Sequence, residues 1–241
     1  MSIATNTTNE FRVMSSGAFG PAYLALMPQL QTLTGKTIVT ASTSLGSGEN
    51  TLEKRLQRGE VVDIVIVAEA LLRQLIDRGL VVAAGSAPLA RSTIGMAVRA
   101  GAPKPDISTT DALRNTLLQA KSIGYSASVS GQYLTTQLVQ RLGIADQVLG
   151  KCQVVAGGVG VVVARGELEI GFQQMSELLP VPGIAHITPL PPEVQIVSVF
   201  SAGVAASCPD AAMARAVIEF LAGPQAAGVI IKSGLEPAGE C

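Results

Sequence analysis

Tryptophan is absent, and 241 residues hold only three tyrosines and five phenylalanines. So few rings exclude a base-stacking platform for single-stranded nucleic acid and an aromatic sugar site. Charge is equally thin: 17 Lys and Arg against 18 Asp and Glu give a net charge of -1. No basic cluster stands out, so neither nucleic acid nor an anionic membrane is expected as a partner. Cys152, Cys208 and Cys241 are widely spaced with no C-x-x-C pair, which leaves no basis for a disulfide framework or a zinc site. His186 is the single histidine, and no Ser-His-Asp set can be assembled around it. G-x-S-x-G, a P-loop and a strand-borne G-x-G-x-x-G are missing too. Nothing therefore points to a metal or an organic cofactor. The opening MSIATNTTNE lacks the basic start and apolar core of a signal peptide. Two locations follow: periplasmic, as a mature chain whose leader has been removed, or cytoplasmic.

What the chain does have is apolar residues, 48% of the total, with charged residues at 15%. The longest uninterrupted apolar stretch, Val154 to Ala164, is 11 residues with two adjacent glycines, too short for the roughly 20 that a membrane helix needs. The length suits one large domain or two small ones. Strand and helix patterns alternate. FRVMSS reads as a strand, and Tyr23, Leu26, Met27, Leu30 and Leu33 then recur at helical spacing. KTIVTAS (36–42) is the second strand, and TLEKRLQRG is a short helix closed by Gly59. VDIVIVA (62–68) is apolar throughout, as suits a strand buried on both faces of a parallel sheet. EALLRQLIDRG (69–79) is helical, with Leu72, Leu75 and Ile76 on one face. A strand at 92–99 leads into a Pro/Gly segment (101–109). KSIGYS (121–126) then restarts the alternation, and GVGVVVARG reads as helical. LEIGFQQ (168–174) and VQIVSVFSAGVAAS read as strands, with helices near 210–222 and 224–233. The predicted class is α/β, with two Rossmann-like lobes and a ligand cleft between them. Lobe one takes residues 1–98 and 197–241, lobe two 99–196, with hinges near 97–101 and 194–200.

Three loops follow strands and open helices: Ser15-Ser16-Gly17-Ala18, Gly48-Glu49-Asn50-Thr51 and Ser126 to Gly131. In open α/β sheets ligands bind beyond the carboxyl ends of strands. Helix starts present free N–H groups and partial positive charge, hydroxyls and amides add donors, and glycine lets the backbone come close. Each loop alone also reads as an ordinary helix cap; the three together read as an anion site. The ligand-binding candidates are Ser15, Ser16, Gly17, Ala18, Asn50, Thr51, Ser128, Ser130 and Gly131. Arg55 joins them because a guanidinium grips a carboxylate through two bonds. Lys54 reads as a solvated helix charge, and Arg91 sits just before the strand leading out of lobe one. Gln173 and Gln174 end a strand and alternate in direction, so one reads as a ligand group and the other as structural.

VMSSGAFGPAYLAL, ENTLEKRLQRGEVVDIVIVAE, SASVSGQY and FLAGPQAAGVIIKSGLEP together resemble the type II periplasmic solute-binding fold, in its molybdate-binding-protein-like branch. The resemblance spans nearly the whole chain. It implies an oxyanion held at Ser15 to Ala18, Asn50 and Thr51, and Ser128 to Gly131. Where molybdate receptors usually read Ala-Ser-Leu, Ser-Ser-Thr and Tyr, this chain has Gly17-Ala18-Phe19, Glu49-Asn50-Thr51 and Gln174. SSGAF, GFQQMSEL and SGLEP mark a subgroup that looks similar to aconitate isomerase, which implies moving an allylic proton on a tricarboxylate without a cofactor; a monomer is expected. Catalytic roles would fall on Ser16 and Arg55, with the base left open among Ser16, Lys54, Glu49 and Tyr125. The competing implication is a receptor that delivers molybdate or another small oxyanion to an ABC permease.

Overall fold

The apolar run at 62–68 became a buried strand. The computed structural model describes residues 9–15, 17–41 and 49–239, and His186 by its backbone alone. In chain order, β1 (Glu10–Ser15), α1 (Gly20–Thr34), β2 (Thr37–Ala41) and α2 (Leu52–Gln57) come first. They are followed by β3 (Ile64–Ala68), α3 (Glu69–Asp77) and one long strand, β4 (Val81–Arg99). The middle of the chain forms α4 (Thr110–Gln119), β5 (Ile123–Ser126), α5 (Val129–Tyr133), α6 (Val139–Arg141) and α7 (Ala145–Val148). Next come β6 (Cys152–Val155), α8 (Val159–Ala164), β7 (Ile170–Gln174), α9 (Met175–Leu178) and β8 (Ile184–Pro189). β9 (Val197–Ala205), α10 (Ala211–Ala222), α11 (Pro224–Lys232) and β10 (Glu236–Pro237) close the chain.

These elements divide into two compact units. The first takes the described residues up to Leu89 together with Phe200–Val229 and the residues from Ala238; the second takes Ala90–Val199 and Ile230–Pro237. β4 and β9 are the strands along which the chain passes from one unit into the other. The last helix and β10 send a further segment into the second unit.

In the first unit, β1 lies between β2 and β3, all three parallel, and β9 runs antiparallel beside β3 (Ile64 opposite Val204). Ile64, Val65, Ile66 and Val67 are fully buried, as the continuous apolar run required. Leu52, Leu56, Leu72 and Leu75 pack on Met14, Val65 and Val67, which seats α2 and α3 on this sheet. α1 follows a 3-10 turn (Gly17–Phe19), has proline in its first turn and stops at Gly35 in the left-handed region (φ 63°), as a helix C-terminus prefers. Its buried face is Ala22, Tyr23, Leu26, Leu30 and Thr34. Leu33, expected on that face, is 41% exposed, because the 3.6-residue period carries the stripe from Leu30 to Thr34.

In the second unit, β5 lies between β6 and β7, all parallel, and β4 runs antiparallel to β7, β8 and β10. One face packs Phe172, Ile123 and Met96 against Tyr133, Leu134 and Leu138 of the helical run that starts at α5. A π turn (Leu134–Leu138) joins α5 to α6 within that run. The other face carries α8, whose Val159 and Val163 lie so close to Gly171 that a Cβ there would stand 2.6–2.7 Å from their methyls. The strand expected at 92–99 starts earlier, at Val81; α4, β6 and β8 were not anticipated. Among the described residues no single helix is long and apolar enough to cross a membrane.

Candidate functional site

Parallel pairing brings strand ends into line. In the first unit, Ser15 is the last residue of β1, beside β2 ending at Ala41 and β3 ending at Ala68. Ser15 is half-buried and Gly17 exposed, while Ala18 and Phe19 point into the core. Ser16 and the whole of residues 42–48, Gly48 included, lie outside the described residues. Asn50 is exposed and Thr51 caps α2, its hydroxyl accepting the Lys54 N–H at 3.4 Å.

The basic residues of α2 have internal partners. Arg55 donates through Nε and Nη2 to the two oxygens of Glu60, at 2.7 and 2.5 Å. That two-bond grip, expected for a ligand carboxylate, is made to a residue of the same unit. It holds the Glu60 carboxyl below the usual carboxylate range and the guanidinium above its own. Lys54 binds Glu49 at 2.6 Å at the surface, and its ammonium is the main cause of the lowered Glu49 pKa. Arg91 is an exposed residue of β4, opposite Glu236.

The second unit gathers more polar chemistry at its strand ends. Ser126, Ser128 and Ser130 form a hydroxyl line, with Oγ–Oγ separations of 2.6 and 3.2 Å. The first intrahelical bond of α5 runs from the Gln132 N–H to the Ser128 carbonyl. The N–H groups of Val129, Ser130 and Gly131 therefore precede the ladder and belong to the unsatisfied set at a helix start. Gly131 has a steric role: a Cβ there would overlap the Ser126 carbonyl oxygen and stand 2.7 Å from the Tyr125 ring. Its absence lets α5 start directly against the end of β5.

Gln173 and Gln174 are 3% and 2% exposed, and both amides are engaged. Gln173 accepts the Val159 N–H at 2.9 Å and donates to Glu177 Oε1 at 2.8 Å. Gln174 accepts from Ser92 Oγ at 2.7 Å and donates to Ser198 Oγ at 3.4 Å, so it joins β7 to β4 and β9 within the second unit. Where one ligand amide and one structural amide were expected, both brace their own unit.

Glu177 was not singled out from sequence. Its carboxyl is half-buried, and burial pushes its pKa up to about 7 against the opposing bonds from Gln173 and the Gln174 backbone. The signal that could have found it is its place in GFQQMSEL, four residues after Gln173, where two side chains at helical spacing can meet. Cys208 has its pKa raised to about 11, chiefly by burial, which makes it a poor nucleophile. Among the described residues, no group of three or more His, Cys, Asp or Glu could hold a metal ion.

Fold and strand-end loops define a class. The chain belongs to the bacterial extracellular solute-binding protein family, whose model matches residues 11–236. A relative from Pseudomonas sp, aconitate isomerase, is 37% identical over 237 residues, covering 98% of this chain and 90% of that protein. The periplasmic molybdate-binding protein of Azotobacter vinelandii has the same fold, with TM-score 0.74 and 18% identity over 93% of this chain and 98% of its own. A tungstate ABC transporter structure from Geobacter sulfurreducens gives TM-score 0.69 at 13% identity, covering 92% and 98% of the two chains. The fold is thus that of the molybdate-binding type of periplasmic substrate-binding protein.

Proposed function

We propose that this protein binds a small tricarboxylate and isomerises it between trans- and cis-aconitate by an allylic proton shift. The observation that carries this reading is the 37% identity to an aconitate isomerase along 98% of the chain. The shift breaks one C–H bond, forms another and moves the double bond by one carbon. Because it is redox-neutral, one base and donors for the developing negative charge suffice.

The second unit supplies such donors in the hydroxyls of Ser128 and Ser130 and the N–H groups that open α5. We assign them to carboxylate binding. The strand-end loops of the first unit, with Ser15, Ser16, Gly17 and Ala18 and with Asn50 and Thr51, are assigned the same chemistry on their residue types. Arg55, Gln173 and Gln174 have internal roles and act by shaping their own units. A periplasmic location fits the family's extracellular description.

The solved molybdate-binding protein and tungstate ABC transporter support a second reading, a receptor that hands an oxyanion to an ABC permease. One experiment separates the two. The protein is incubated with trans-aconitate while NMR follows cis-aconitate, and molybdate and tungstate are tested in parallel by thermal shift. Conversion supports the isomerase. Stabilisation by molybdate or tungstate without conversion establishes the receptor instead.

A further inference from the structure

We propose that Glu177 is the group that removes the allylic proton and returns it. This rests on the isomerase reading and names a base that the sequence left open.

Of the earlier candidates, Ser16 lies outside the described residues and the other three have other engagements. Lys54 and Glu49 form an exposed pair with each other, and Tyr125 packs against the apolar cluster around Phe172 and Tyr133. Glu177 differs in three respects. It lies just past the carboxyl end of β7, the same edge of the second unit's parallel strands at which Ser126 ends β5. Its carboxyl is fixed rather than floating: Gln173 holds Oε1 at 2.8 Å and is itself pinned by the Val159 N–H. And among the described residues no Lys or Arg lies within salt-bridge distance of it.

The surrounding elements explain its protonation behaviour. α8 and β7 contain no titratable side chain, α9 contains Glu177 alone, and the neighbouring β8 carries His186, described by its backbone only. Lys232 and Glu236 flank the turn at Gly234, which packs on Ser176 and Leu179. None of these charged groups contributes to the raised pKa of about 7, which follows from burial. A carboxyl poised there is ionised in about half the molecules at neutral pH, and an efficient proton-transfer group has a pKa near the working pH.

The step balances. The Glu177 carboxylate takes a proton from the substrate methylene, and the C–H electron pair becomes the new C=C bond. The electrons of the old double bond move onto its far carbon and the adjacent carboxylate. The neutral Glu177 acid then gives the same proton to that carbon. No oxidant, reductant or second substrate enters.

The test compares wild type with Glu177→Gln and Glu177→Asp, measuring conversion of trans-aconitate by NMR and its binding by calorimetry. In Glu177→Gln, conversion is expected to fall by about 10²–10⁴, the usual contribution of a positioned base, while trans-aconitate binding stays within about threefold (0.65 kcal/mol from RT). The inflection near pH 7 in wild-type kcat/KM should vanish with it. Glu177→Asp keeps an acid one methylene shorter, and its conversion should lie between the other two. Conversion by Glu177→Gln within tenfold of wild type overturns the assignment and leaves the isomerase reading standing. If Glu177→Gln does not fold, Glu177→Asp decides: a wild-type rate and pH profile overturn the assignment, and a slowed rate with a displaced inflection supports it. A wild type that binds trans-aconitate without converting it overturns the isomerase reading and this assignment together.

Discussion

Glu60 closes the fork of Arg55, and the pair is well enough shielded, at 17% and 31% side-chain exposure, to matter for stability. Glu60→Gln should cost about 1 kcal/mol at pH 7 in urea unfolding, the usual scale for a two-bond charged pair. The sign with pH follows from its lowered pKa. The unfolded chain takes up the proton first, so the contribution is complete above the ordinary glutamate pKa and is lost as pH falls below it. Wild type and Glu60→Gln should therefore converge in acid. Glu177 runs the other way, because its folded-state pKa is raised to about 7. The folded protein holds its proton longer, so stability declines as pH rises from the ordinary glutamate range through 7. At pH 9 Glu177→Gln should be the more stable form, by about 1–3 kcal/mol for a shift of this size at a half-buried site. Equal denaturant midpoints at pH 9 would show that the carboxyl carries no burial penalty.

Elements hold the strand-end loops in place through a few side-chain bonds. Tyr133 on α5 donates its hydroxyl to the Val194 carbonyl at 2.5 Å, and Arg141 on α6 reaches the same hydroxyl at 3.1 Å and the Glu193 carbonyl at 2.8 Å. The helical run that opens at the serine line is thereby tied to the segment entering β9. Tyr133→Phe should cost about 1–2 kcal/mol, the scale of a buried carbonyl left without its donor, at an unchanged m-value. Gly131→Ala should do worse, because backbone must move to admit the methyl; near-wild-type melting would deny that α5 needs glycine at its start. Periodicity made much of this scale legible. The buried run at 64–68 and the stripe on α3 were plain from apolar spacing, and so were the loops at strand ends. The partners of Arg55, Gln173 and Gln174 were not legible. A side chain able to grip a ligand carboxylate is equally able to grip Glu60, and only three-dimensional proximity decides between them. β6 escaped because it is a four-residue strand with Val154 61% exposed, too short to show alternation.

For the molecule as a whole, the C-terminal return is the main constraint. Ile230 and Leu235, 1% and 4% exposed, belong to the second unit, although the residues just before and just after their segment belong to the first. β10 also pairs with β4 at Arg91 and Ala90. A chain ending at Val229 should lose its cooperative melting transition in calorimetry, because it strips apolar residues and a strand from the second unit. A sharp transition near the wild-type Tm would show that the segment is dispensable.

That return also sets a clock. Strand β3 pairs with β9 some 140 residues later (Ile64 with Val204), and β4 waits for β10 at the very end. Contacts so distant along the chain close slowly, and a ribosome delivers the N-terminus first. Neither unit can be completed until nearly the last residue has been made. Until β9 is made, one edge of β3 stays open to pairing with another chain.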